Sequence, residues 1–73
     1  MEQLKEMLKN LYPEIDFENE TDLMSNGLLD SVAVVTIIAE IEELFDISVT
    51  MEYIQPKYFE SVETMWEMIE ELQ

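Results

Sequence analysis

Three stretches of the chain repeat apolar residues at the spacing of an amphipathic helix, and this pattern limits the possible folds most. The first stretch has its apolar residues at positions i, i+3, i+4 and i+7: Leu4, Met7, Leu8 and Leu11. Pro13 disfavours a helical conformation at the residue before it. The first helix is therefore predicted over residues 2–12.

The second and third stretches also follow helical spacing. The second, Val32 to Phe45, contains neither glycine nor proline. Its β-branched residues would suit a strand, but its length and its acidic residues favour a helix. Ser61 offers an N-cap for a last helix. The apolar face of that helix is Val62, Met65, Trp66, Ile69 and Leu72.

Two irregular segments separate these helices. Residues 13–30 show no periodicity and contain the only glycine, so they are predicted to form a long loop. A loop of more than about 15 residues is unusual in a compact domain and is often functional. Residues 51–58 are expected to hold one short helical turn, broken at Pro56.

These elements predict one all-α domain over residues 1–73. The expected architecture is a four-helix bundle, with three long helices and one short one, and a long loop between helices one and two. A chain of 73 residues is too short for two domains.

The charge balance restricts the possible partners. Eighteen Asp and Glu residues face three Lys residues, giving a formal net charge of −15. Nucleic acid and anionic membranes would repel such a surface, so basic proteins are the expected partners. The first residues lack the basic start and apolar run of a signal peptide or a membrane span. We expect a cytoplasmic location.

The missing residue types argue against an enzyme. The chain has no cysteine, histidine or arginine, which removes most groups that titrate near neutral pH, act as activated nucleophiles or bind phosphate. A calcium loop beginning at Asp16 fails the EF-hand pattern, because its sixth residue is Thr21 and its twelfth is Gly27. No metal site is predicted.

One short run stands out, where the long loop meets the second helix. Ser31 places a hydroxyl at a helix N-terminus, where free N–H groups and the helix dipole favour a phosphate group. Asp30 and Ser31 are equally typical of an ordinary helix cap. Both interpretations hold together if Asp30 caps the first amides and the Ser31 hydroxyl faces outward.

These residues carry a family resemblance. The run Gly27-Leu28-Leu29-Asp30-Ser31, the apolar helix and Glu42-Glu43-Leu44-Phe45-Asp46-Ile47 resemble the acyl carrier protein family, including its aminoacyl and peptidyl relatives. The start of the last helix, Phe59-Glu60-Ser61-Val62, also falls where that family has it, so the likeness covers nearly the whole chain.

The resemblance implies a covalent cofactor. A phosphopantetheinyl transferase would attach 4′-phosphopantetheine from coenzyme A to Ser31, and Asp30 would be the neighbouring acid that the transferase and its metal engage. The thiol of the arm would carry an acyl or aminoacyl group as a thioester, in a chain that has no cysteine of its own.

The second helix also suggests a partner surface. Its geometry directs five side chains inward: Val34, Ile37, Ile38, Ile41 and Phe45. Partner contacts are predicted from the outward or flanking positions and their neighbours: Leu29, Val32, Ala33, Val35, Thr36, Ala39, Glu40, Glu43, Tyr53 and Ile54. The alternative is that the loop partly covers the apolar members Val32, Val35 and Ala39.

The cargo is less constrained. In fatty-acid carriers the positions matching Ala33 and Thr36 are commonly acidic, so the present residues resemble aminoacyl, peptidyl and D-alanyl carriers more closely. The D-alanyl type has a Phe-Asp-Ile-x-Val stretch, matched here by residues 45–49. Among the methionines, Met51, Met65 and Met68 are candidates for sequestering an acyl chain, with ordinary core filling as the alternative.

We therefore expect a free-standing, monomeric and non-catalytic carrier. Its partners would be the transferase, a loading enzyme and a downstream synthase or transferase, all with basic surfaces. The alternative is an acidic helical interaction module that binds a basic partner and is never modified. A degenerate carrier that lacks the modification is disfavoured, because the Asp30-Ser31 pair is intact.

Overall fold

The computed structural model describes residues 2–73, which form three α-helices and two short 3-10 turns. Helix α1 spans Glu2–Leu11, α2 spans Ser31–Phe45 and α3 spans Val62–Leu72. The 3-10 turns lie at Met51–Tyr53 and Pro56–Tyr58. Since no strand occurs within residues 2–73, the predicted all-α class is confirmed.

The helix ends fall within one residue of the predictions, and local chemistry explains each difference. Helix α1 ends at Leu11, one residue early, because Tyr12 precedes a proline. Helix α2 begins one residue early, at Ser31, because Asp30 is its N-cap. Ser61 caps α3 as predicted, and Thr64 completes a capping box with it.

The short fourth helix is not confirmed. The segment after α2 instead forms two separate 3-10 turns, neither of which buries a residue. Pro56 lies at the start of the second turn and has no N–H group to continue a helix from the first. Only Tyr53 and Tyr58 in the two turns are half-buried against the core, so this segment has little of the packing that normally stabilises a short helix.

The core joins all three helices with the loop that precedes α2. Helix α1 packs against both α2 and α3. Four of the five predicted inward residues of α2 are buried, and Phe45 is half-buried with its ring edge-on to that of Trp66, 5.8 Å between centroids. Met65 and Met68 are completely buried, as ordinary core filling predicts for them.

The loop of residues 12–30 contributes three side chains to this core. Phe17, Leu23 and Leu29 are buried in the same cluster as the helix residues. They attach the loop to the bundle at roughly even intervals, and the last of them lies two residues before α2. None of the helices in residues 2–73 combines the length and the apolar character that a membrane crossing needs.

Candidate functional site

Ser31 is the first residue of α2, and its side chain is exposed. The first N–H groups of an α-helix have no acceptor within that helix. Here the N–H groups of Ser31 and Val32 have no acceptor anywhere in residues 2–73. The site therefore presents a hydroxyl to solvent, beside two unused donors and the positive end of the helix dipole.

Asp30 caps the helix and leaves Ser31 unobstructed. Its Oδ1 accepts a hydrogen bond from the Ala33 N–H at 2.8 Å, and its backbone carbonyl accepts one from the Val34 N–H at 2.9 Å. Asp30 therefore caps the helix while Ser31 stays exposed, so the two interpretations of this pair hold together.

An apolar cavity of about 230 Å³ opens beside Ser31. Its remaining lining residues come from the loop, from α2 and from the segment before α3: Met24, Val34, Val35, Ile54, Gln55, Pro56 and Phe59. Five of these seven were not predicted as site residues, because they meet only when the loop and the 3-10 turns converge on α2.

The exposed face of α2 carries most of the predicted partner residues. Val32 is 73% exposed and Val35 is 64% exposed, and Ala39 is also exposed. The loop therefore does not cover these three side chains. Thr36 and Glu40 are half-buried, and Glu43 is exposed.

Two of the predicted partner residues have to be corrected. Leu29 and Ala33 are buried, with 2% and 6% of their surface exposed. Leu29 anchors the end of the loop in the core, and Ala33 lies on the flank of α2 that turns inward. A partner surface on this structure cannot include either side chain.

Ile54 lines the cavity, and Tyr53 precedes it in the first 3-10 turn. Ile54 is exposed, and Tyr53 is half-buried with its ring 5.2 Å from that of Tyr58. Partial desolvation and the negative charge of Glu71 raise the pKa of the Tyr53 hydroxyl above its ordinary value. Tyr53 is therefore a neutral hydrogen-bonding group at physiological pH.

Glu60, which the sequence did not single out, holds the loop beside the site. Its Oε1 accepts the N–H groups of Met24, at 2.8 Å, and Ser25, at 3.1 Å. Its Oε2 accepts the Ser25 hydroxyl at 2.7 Å, and its backbone carbonyl accepts the Leu23 N–H at 2.9 Å. We call these four bonds the Glu60 clasp. No local signal distinguishes Glu60 among eighteen acids.

The candidate methionines are placed differently from one another. Met51 is 86% exposed, while Met65 and Met68 are buried in the core. None of the three lines the cavity beside Ser31, whereas Met24 does. Within residues 2–73, no group of three or more acidic side chains lies close enough together to hold a metal ion.

Comparison with known proteins supplies independent information about this site. A family described as the phosphopantetheine attachment site matches residues 2–57, a range that includes the loop, Ser31 and all of α2. Comparisons with curated proteins and with solved structures give no match.

Proposed function

Because the chain belongs to the phosphopantetheine attachment family, the carrier proteins related to acyl carrier protein, we propose that Ser31 is its point of attachment. The family's domains are non-catalytic and bear a covalent 4′-phosphopantetheine. The observation that carries the assignment to Ser31 is its exposed hydroxyl in the first turn of α2.

The residues around Ser31 fit such a group. A phosphodiester on the Ser31 oxygen would lie next to the unused N–H groups of Ser31 and Val32. The apolar cavity next to Ser31 could receive part of an elongated arm. When bound, the group supplies a thiol that holds acyl or aminoacyl cargo as a thioester, chemistry that a chain without cysteine lacks.

Asp30 has two roles in this proposal. Its Oδ1 holds the Ala33 N–H and thereby defines the start of α2. Its second carboxylate oxygen has no hydrogen-bond partner within residues 2–73. That oxygen is available to the metal of the phosphopantetheinyl transferase, and this supports Asp30 as the acid that the transferase engages.

The exposed valines of α2 support a partner surface next to Ser31. Valine is a weak helix former, and Val32 and Val35 gain almost nothing from burial because most of their surface is in water. Neither helix propensity nor core packing explains them. We assign to the partner surface the accessible members of the predicted set: Val32, Val35, Thr36, Ala39, Glu40, Glu43, Tyr53 and Ile54.

The charge of the chain supports transient encounters with basic partners. Within residues 2–73 one ion pair joins an amine to a carboxylate, Lys5 to Glu18 at 3.9 Å. Most of the acidic side chains that give the net charge of −15 therefore have no ion-pair partner in this part of the chain. Such a field accelerates association with basic surfaces and weakens with salt. A carrier that visits several enzymes needs fast binding and fast release. We propose a transferase, a loading enzyme and a downstream synthase or transferase as partners.

For cargo we propose an aminoacyl or other short acyl group. The stretch Phe45-Asp46-Ile47-Ser48-Val49 supports this assignment, as does Thr36 in place of the acid common in fatty-acid carriers. The cavity beside Ser31 is small, about 230 Å³. A cytoplasmic location and a monomeric state stay predictions from the sequence.

The attachment site can be tested by intact mass. The purified chain is incubated with a broad-specificity phosphopantetheinyl transferase and coenzyme A. We expect the wild type and Ser48→Ala, a control at another exposed serine, to gain one arm each, and Ser31→Ala to gain none. Labelling of Ser31→Ala would refute the site. An unmodified wild type would favour the acidic interaction module.

A further inference from the structure

The Glu60 clasp joins two parts of the chain that are far apart in sequence. The carboxylate of Glu60 reaches residues 35 and 36 positions away, and both of its oxygens accept hydrogen bonds there. Bonds to a charged acceptor are about twice as strong as neutral ones. In a chain with a net charge of −15, both oxygens of this carboxylate are hydrogen-bonded to the loop, at Met24 and Ser25.

The clasped residues are connected to Ser31 through a short series of hydrogen bonds. The Leu23 N–H donates to the Glu60 carbonyl, and the Leu23 carbonyl accepts the N–H groups of both Leu28, at 3.0 Å, and Leu29, at 3.1 Å. Leu29 is buried, and Ser31 follows it by two residues. The turn of residues 23–29, which leads into α2, is therefore closed by hydrogen bonds to Leu23, and Leu23 is itself bonded to Glu60.

The backbone conformation of Gly27 makes this turn dependent on the Glu60 clasp. Gly27, at φ +75, adopts the left-handed conformation that reverses the chain between Leu23 and Leu29. A glycine in this position leaves the turn flexible, so hydrogen bonds and buried side chains must restrain it. The clasp also fixes the backbone of Met24, whose side chain lines the cavity beside Ser31.

We propose that Glu60 is a positioning residue for the modification of Ser31. It holds the turn of residues 23–29, and through that turn it sets the direction of the Ser31 hydroxyl and the Met24 wall of the adjacent cavity. This inference rests on the proposed attachment at Ser31. Glu60 itself touches neither Ser31 nor the cavity, so it acts through residues 23–29.

The titration of Glu60 is consistent with this arrangement. Hydrogen bonds from the hydroxyl and the N–H of Ser25, with a further one from the Met24 N–H, lower the pKa of the Glu60 carboxyl below its ordinary value of 4.5. The Glu60 carboxylate is therefore ionised throughout the neutral pH range, so the clasp keeps its charged acceptor there.

The proposal is tested with Glu60→Ala and Glu60→Gln, each matched to the same change at Glu63, an exposed acid in the first turn of α3. Two measurements are made on each variant. One is kcat/KM for arm transfer by the transferase, with the carrier as varied substrate. The other is amide hydrogen exchange of the unmodified protein, which requires no transferase.

We expect Glu60→Ala, which removes the three hydrogen bonds to the carboxylate, to lower kcat/KM by about tenfold. The amides of Leu28 and Leu29 should exchange about tenfold faster, while the Leu8 amide in α1 is unchanged. Glu60→Gln keeps one oxygen acceptor for the Met24 and Ser25 N–H groups, so it should recover most of the loss. The Glu63 variants should stay within about twofold of the wild type.

Three results would overturn the proposal. They are an unchanged exchange rate at Leu28 and Leu29, a uniform acceleration that includes α1, and equal kcat/KM for Glu60→Ala and Glu63→Ala. The uniform acceleration would indicate only a general loss of stability. If the wild type is not modified at all, attachment at Ser31 fails, and the exchange rates still decide whether Glu60 positions the turn.

Discussion

The two irregular segments that flank α2 are built in different ways. The segment before α2, residues 12–30, has three buried anchors and the Glu60 clasp. The segment after it, residues 47–58, has one buried side chain, Val49, and exposes Met51 and Ile54. Both border the cavity beside Ser31.

This difference indicates that the two segments have different roles at the site. The segment before α2 leads directly into Ser31. Its conformation must therefore be well defined if Ser31 is to lie in a fixed position at the start of α2. The exposed segment leaves apolar side chains in water next to the same site, where a partner or the carried group could cover them. Regions with few buried contacts are also the ones that open most easily.

Substitution of one anchor provides the largest test of this comparison. Leu23 is completely buried in the first segment, and Ile54 is exposed in the second. Leu23→Ala should lower the free energy of unfolding by about 3 kcal/mol, because it removes buried methyl groups and leaves a cavity. Ile54→Ala should change it by less than about 0.5 kcal/mol. Urea unfolding measures both, and equal losses would contradict the assigned difference.

A smaller effect is expected where the second segment is attached. The Glu42 carboxylate of α2 accepts the Val49 N–H at 2.8 Å. Glu42→Ala should lower the free energy of unfolding by about 1.5 kcal/mol, because the bond is made to a charged acceptor. Glu43→Ala removes the same charge from an exposed position and serves as the control. If the two variants were equally stable, Val49 would not depend on Glu42.

The smallest effect concerns pH. Because its folded-state pKa is lowered, Glu60 stabilises the fold fully above pH 4.5, the ordinary value. This contribution falls as the pH drops through 4.5 and then through the lower folded-state pKa. The difference in Tm between the wild type and Glu60→Gln should therefore shrink from pH 6 to pH 3.

Other carboxylates also become protonated over this range, and the loss of their mutual repulsion acts in the opposite direction. The comparison therefore uses the difference between two proteins rather than one melting curve. Glu63→Gln is the control for the loss of one exposed carboxylate, and its Tm is measured at the same pH values. If the difference in Tm between the wild type and Glu60→Gln did not change with pH, protonation of Glu60 would not weaken the clasp.

Much of the architecture could be predicted from local patterns. The spacing of apolar residues located all three α-helices, and the chemistry of single residues located the caps Asp30 and Ser61. These signals are local, because a helix is defined by contacts within about four residues. The family assignment depended on several short runs of residues spread over nearly the whole chain, and the family comparison confirms it.

The failures have a common cause as well. The burial of Leu29 and Ala33 depends on which side of the loop or of α2 faces the core. The fourth helix was predicted from a short segment whose two 3-10 turns contain no fully buried residue. Glu60 resembles seventeen other acids in the sequence, and only its distance from the loop distinguishes it.

Three helices, an acidic surface and a serine at the start of the second helix follow from the sequence, because periodicity, charge and capping depend on neighbouring residues. The packing of the folded chain determines which acid holds the loop, which residues form the cavity beside Ser31 and which apolar side chains stay in water. Those outcomes depend on packing between distant segments, where a hydrogen bond such as that from Met24 to Glu60 spans 36 residues and leaves no local pattern.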